Sequence, residues 1–169
     1  MTDPCDCPPE AGSPTCENKL TSEALPCPTN QQAGKAVDSL TLKALLNSSL
    51  TQLRPVEYRF CIASDCPTVY YSVDGHQVFG EADLREKVYQ KHPDEPDVLV
   101  CYCFRHTIGS IRDEIERTGK STVSDQITNA IQAGLCACDI RNPQGSCCLG
   151  NIRGVIKQLK TGKSPSKTP

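Results

Sequence analysis

Three short cysteine motifs constrain this chain most: Cys101-Tyr102-Cys103-Phe104, Cys136-Ala137-Cys138 and the adjacent pair Cys147-Cys148. They place six thiols in two groups, and the stretch between the groups is long enough for two helices. Four thiolates delivered in this way are what a chain needs to wrap an iron-sulfur cluster. The first reading is therefore a metal carrier.

A disulfide framework is the competing use of twelve cysteines in 169 residues, and the even count would suit one. That use requires an oxidising compartment. The segment from Met1 through Pro8 has neither the basic nor the apolar stretch of a secretory signal. No apolar run reaches the roughly 18 residues of a membrane span. These features predict a cytoplasmic chain with reduced thiols, in which clustered cysteines bind metal. Geometry agrees, because thiols that are adjacent or one residue apart would be strained if bridged to each other.

The chain is 37% hydrophobic and contains no tryptophan. Such a chain buries one modest core, or two small ones helped by metals. A net charge of -2 gives no basic footprint for nucleic acid.

Residues 1–26 are rich in Pro, Ser, Thr and Glu without periodicity. They are expected to be disordered unless Cys5, Cys7 or Cys16 reaches a metal. Leu42, Leu45, Leu46, Leu50 and Leu53 fall at helical spacing and predict an amphipathic helix from Thr41 that ends before Pro55. Strands are expected at Tyr58 to Phe60, Thr68 to Ser72 and Gln77 to Phe79, the last two joined by a turn at Asp74-Gly75. A short helical piece follows from Asp83 to Val88. The Pro- and Asp-rich stretch from His92 to Asp97 marks a boundary.

The second half reads as helical throughout. Thr107 is a suitable N-cap for a helix carrying Ile108, Ile111 and Ile115 and stopping at Gly119. Thr122 and Asp125 form a capping-box pattern before Val123, Ile127, Ala130 and Ile131, with Gly134 at the end. A third helix starts near Cys148 and carries Leu149, Ile152, Val155, Ile156 and Leu159. Cys103 and Cys148 thus stand near helix starts, whose free N–H groups favour an anionic centre. Zinc could use the same thiolates.

The segments Cys101 to Phe104, Thr118 to Thr122 and Cys136 to Gly150 resemble the BFD-like 2Fe-2S domain, named for bacterioferritin-associated ferredoxin. More narrowly, the stretch from about Cys27 to Leu159 resembles the N-terminal part of the CopZ-type copper chaperones. That resemblance implies an α+β chain: a small zinc-stapled helix and hairpin module at 27–96 and an all-helical 2Fe-2S module at 97–160; the Pro-, Ser- and Lys-rich composition of 161–169 predicts a basic, disordered tail.

The family's opening Cys-x-Cys ligands fall on Cys101 and Cys103, and its later ligands on Cys138 and Cys148. Cys138 rather than Cys136 stands four residues before Asn142, and Cys148 rather than Cys147 directly precedes Leu149. Cys136 and Cys147 are expected as small buried residues beside the site. Zinc is expected at Cys61 and Cys66, whose spacing suits a knuckle. Cys27 matches the first cysteine of the family's Cys-Pro-x-Cys, but Asn30 occupies the second position. Cys16 is the choice for the fourth zinc ligand, with Cys5 or Cys7 behind it.

The sequence given contains one methionine and no Cys-x-x-Cys, so delivery of Cu(I) by the Met-x-Cys-x-x-Cys of the full-length chaperones has no counterpart in it. Thr118-Gly119-Lys120-Ser121-Thr122 lacks the upstream glycine of a phosphate loop and reads as a helix-helix turn. His76, His92 and His106 are expected at the surface. No set of nucleophile, base and orienting group supports an enzyme. The reading is one-electron transfer linked to metal homeostasis, with a redox or metal-handling protein as partner and neither nucleic acid nor membrane. A metal-responsive interaction module, or a protein for cluster or metal storage and transfer, is the alternative.

Overall fold

The computed structural model describes residues 25–162. Cys5, Cys7 and Cys16 lie outside the described residues, as does most of the basic tail.

A four-stranded antiparallel sheet, in the order β1-β2-β3-β4, organises the first half. It consists of β1 (Lys35–Val37), β2 (Tyr58–Phe60), β3 (Thr68–Ser72) and β4 (Val78–Gly80). Strands β3 and β4 join through the expected Asp74-Gly75 turn. Gly75 takes φ of +74° there, and the Asp74 carboxylate accepts from Ser72 Oγ and the His76 N–H. Strand β1, which pairs Lys35 with Phe60, was not expected: three residues give no readable alternation.

Helix α1 (Ser39–Leu45) is capped by Asp38, whose carboxylate accepts from the Leu40 N–H at 2.7 Å. It stops well short of Pro55. Leu46 is extended and bridges to Leu84, and Asn47 donates from its side chain to the Ala82 and Leu84 carbonyls. Leucine spacing favours a longer helix. The run Asn47-Ser48-Ser49 competes for backbone partners, and a separate 3-10 turn (Leu50–Gln52) follows with Ser49 as its cap.

The helical piece expected from Asp83 to Val88 is not formed. Leu84 pairs with Leu46, and 3-10 turns at Glu81–Asp83 and Tyr89–Lys91 flank it. His92 is half-buried rather than at the surface, between Glu81 (2.6 Å) and Glu95 (2.7 Å).

Strand β3 is buried at every position, so its neighbouring tyrosines serve opposite faces. Tyr70 packs with Leu42, Leu46, Tyr58, Phe60, Val69, Leu84 and Val88 in the first core. Tyr71 packs with Cys27, Cys61 and Cys66.

The second half is not all-helical. A two-stranded hairpin, β5 (Leu99–Cys101) with β6 (His106–Thr107), precedes α2 (Ile108–Thr118), α3 (Val123–Gln132), α4 (Cys138–Arg141) and α5 (Leu149–Thr161). The hairpin arises because residues 102–105 turn sharply, with Arg105 at φ of +61°. Helix α2 has the expected Thr107 cap and ends at Gly119 in the left-handed region.

The Thr122–Asp125 capping box is replaced by a longer-range bond. Glu114, which reads as part of a charged face, accepts from Ser121 Oγ and from both the N–H and Oγ1 of Thr122. Short α4 was also not expected, since four residues carry no period.

The second core contains Val100, Ile108, Ile111, Val123, Ile127, Ile152 and Val155, together with Cys101, Cys138 and Cys148. Contacts cross from the sheet half to α4 and the turn that follows it. Thr41 Oγ1 donates to the Asp139 carbonyl at 2.5 Å, and Tyr70 Oη donates to the Pro143 carbonyl at 2.6 Å. Buried Asn142 donates to the Ser146 carbonyl at 2.7 Å, which closes the turn.

Candidate metal centres

Cys27, Cys61 and Cys66 are buried, and their sulfurs all lie within 4.8 Å of one another. Cys27 and Cys66 sulfurs are 3.9 Å apart. The first ligand sits in a tight loop in which the Gln31 N–H donates to the Cys27 carbonyl and the Cys27 N–H to that of Gln32. Gln31 takes φ of +60° to close it. Burial pushes the Cys27 thiol up, but N–H groups of Asn30 and Thr29 aimed at its sulfur, with the Cys61 and Cys66 thiols, bring it below the ordinary range. Burial pushes the Cys61 thiol up to about 11. Lys91, whose ammonium donates to the Ala63 carbonyl at 2.6 Å, opposes that rise.

Asn30 stands where the compared motif has a second cysteine. Its amide donates to Cys61 Sγ at 3.5 Å, and its carbonyl oxygen accepts the Gln32 N–H at 3.1 Å. Three ligands of the four expected thus meet in the fold, and Cys16 lies outside the described residues. Three converging buried thiols suit a soft or borderline cation such as zinc.

The second centre draws on three stretches of chain. Cys101 ends β5, Cys103 lies in the hairpin turn, Cys138 opens α4 and Cys148 is the N-cap of α5. Cys103 and Cys138 sulfurs are 3.7 Å apart, and Cys101, Cys138 and Cys148 are buried together in the second core. The four proposed cluster ligands are thus gathered in or against one core. The Ala137 N–H donates to Cys103 Sγ at 3.4 Å, and backbone N–H groups near Cys101 and Cys138 contribute to lowering those thiols. Such donors stabilise thiolates and tune a bound metal.

The Cys148 thiol holds the Cys138 thiol down at about 5 and the Cys101 thiol at about 7, and is itself pushed up. Burial pushes Cys103 up to about 12. The centre therefore holds ready thiolates beside thiols whose protons a metal would displace.

The two remaining cysteines differ from expectation. Cys147 is exposed, not buried. Cys136 is half-buried, and its sulfur, with those of Cys103 and Cys138, forms a second group within 4.8 Å. A Cys-x-Cys pattern signals this convergence, but the choice of a single ligand from it hides the second thiol. His106 pairs in register with Cys101 and is half-buried, which lowers its pKa.

Residues 24–85 match the CopZ-type zinc-finger family model, described as a zinc binding domain. The chain is also similar to the crystal structure of the N-terminal domain of CopZ from Archaeoglobus fulgidus. The two are 27% identical with a TM-score of 0.63, and the alignment covers 83% of this chain and all of that one. No curated protein sequence matches it. Together these findings support a CopZ-type zinc module in the first half, a mixed α/β fold and a metal-binding role. Among the described residues, no helix is long and apolar enough to cross a membrane.

Proposed function

We propose that the protein is a one-electron carrier of metal homeostasis, with a 2Fe-2S cluster held by Cys101, Cys103, Cys138 and Cys148 and a zinc ion at Cys27, Cys61 and Cys66. The observation that carries the reading is that Cys101, Cys138 and Cys148 are buried in the second core with Cys103 packed against it. Their arrangement fits the cluster. Four cysteine sulfurs gathered in and against one apolar core supply the donor set of a 2Fe-2S centre. N–H donors at the sulfurs and the N-terminus of α5 beside Cys148 offset the negative charge of four thiolates.

When bound, the cluster supplies reversible one-electron chemistry. The chain's own residues fix the thiolates, supply the N–H groups and exclude water through Val100, Ile111 and Ile152, which are all fully buried. The zinc ion acts as a staple, because strands of three to five residues and one seven-residue helix make only a small core. The protein is a carrier, not an enzyme, and works in a reducing compartment such as the cytoplasm with a redox or metal-handling protein as partner.

Anaerobic purification with metal analysis tests the reading. The expected content is about two irons, about two acid-labile sulfides and about one zinc per chain, with visible absorption that bleaches on reduction and returns on reoxidation. Zinc alone, or iron lost on the first reduction, would overturn electron transfer and leave metal storage or a zinc-held interaction module.

A further inference from the structure

The second centre holds one thiol more than the cluster needs, and that thiol lies against a ligand. Cys136 donates to Cys138 Sγ at 3.3 Å, closer than the 3.7 Å between Cys138 and Cys103. Its sulfur lies within 4.8 Å of both, and it is more exposed than Cys138. Backbone geometry permits the approach, because Ala137 between the two cysteines is not helical, with φ of -136° and ψ of 50°.

We propose that Cys136 is an exchange ligand: it can replace Cys138 as a ligand of the cluster, so that the centre has two ligation states. The inference rests on the cluster reading above. In the exchange one Fe–S bond, to Cys138, breaks, and one, to Cys136, forms. The proton of the Cys136 thiol passes to the departing Cys138 sulfur, along the hydrogen bond already present. No electron moves, and the charge of the centre is unchanged. Cys136 can enter as Cys138 leaves, so the iron keeps its coordination number throughout. Cys136 is less buried than Cys138, so the exchange moves one attachment point toward the surface.

The other spare thiol is differently placed. Cys147 is exposed, and its sulfur accepts the Leu149 N–H at 3.5 Å on the outer side of α5.

The test compares full-length chains loaded anaerobically with iron and sulfide. Cys138→Ala is expected to keep wild-type iron and sulfide with shifted visible absorption and circular dichroism, because sulfur still completes the site. The double variant Cys136→Ala/Cys138→Ala should hold no cluster. If Cys138→Ala is as empty as Cys101→Ala while its zinc content and far-ultraviolet dichroism are normal, the proposal fails.

A second measurement avoids the buried position. Cys136→Ala should keep the wild-type iron content but surrender iron to a chelator several-fold more slowly, and an unchanged rate would overturn the exchange role. Wild-type protein that takes up no iron removes the cluster reading itself. A loaded wild type beside an empty, folded Cys138→Ala removes only this inference.

Discussion

The side-chain amide of Asn30 donates to Cys61 Sγ at 3.5 Å, and the Gln32 N–H fixes its other end. An amide held in this way steadies a thiolate without supplying a fourth one. Asn30→Cys is therefore expected to add a fourth thiol to the Cys27, Cys61 and Cys66 group and slow zinc loss to a competing chelator by about tenfold or more. Cobalt-substituted protein should show it as a change in ligand-field absorption toward that of a four-thiolate site. An unchanged spectrum and rate would mean that the loop cannot turn this side chain onto the metal.

Cluster ligation gives a second prediction. Cys101→Ala, Cys103→Ala and Cys148→Ala should each lose the visible absorption of the loaded protein, whereas Cys147→Ala should retain it. Bleaching by Cys147→Ala would show that the exposed thiol of the adjacent pair is a ligand and that α5 starts differently when metal is bound.

Gly145 carries a third. It has φ of +66°, and a Cβ there would meet Val37 Cγ2 at 2.9 Å and Thr41 Oγ1 at 3.2 Å. Both the left-handed backbone and the missing space oppose a side chain. Gly145→Ala should cost more than about 1 kcal/mol and release cluster iron faster, since the turn it opens separates Cys138 from Cys148. Thermal unfolding and chelator kinetics on the loaded protein would check both parts.

Zinc uptake should depend on pH in one direction. Burial pushes the Cys61 thiol up to about 11, so at neutral pH the metal must displace its proton. Apparent zinc affinity should therefore rise with pH through the neutral range and fall on acidification. Competition with a chelator of known proton dependence measures this; a flat profile would indicate that Cys61 is already a thiolate.

Much of the second half was legible because long helices repeat their signal. Ile108, Ile111 and Ile115 mark α2, and Ile152, Val155 and Ile156 mark α5, with Thr107 and Gly119 in their capping roles. The short elements were not. β1, β6 and α4 span two to four residues and carry no period. The leucines from Leu42 to Leu53 serve a helix, a bridge and a turn in succession, so helical spacing outlasted the helix. At the metal centres, the family resemblance carried by the cysteine motifs implied Cys101, Cys103, Cys138 and Cys148 as ligands. It did not disclose that Cys136 shares their space or that Asn30 faces Cys61, because both follow from backbone turns at Ala137 and Gln31.

The turn from Asn142 to Ser146 connects two proposed cluster ligands, yet the parts that seat it, Val37, Thr41 and Tyr70, come from the sheet half. The sheet half thus supplies the mould in which the other half's ligand spacing is cast. A recombinant that joined either half to a counterpart from another chain would need to inherit the matching surface at these positions, even though none of them bears a sulfur.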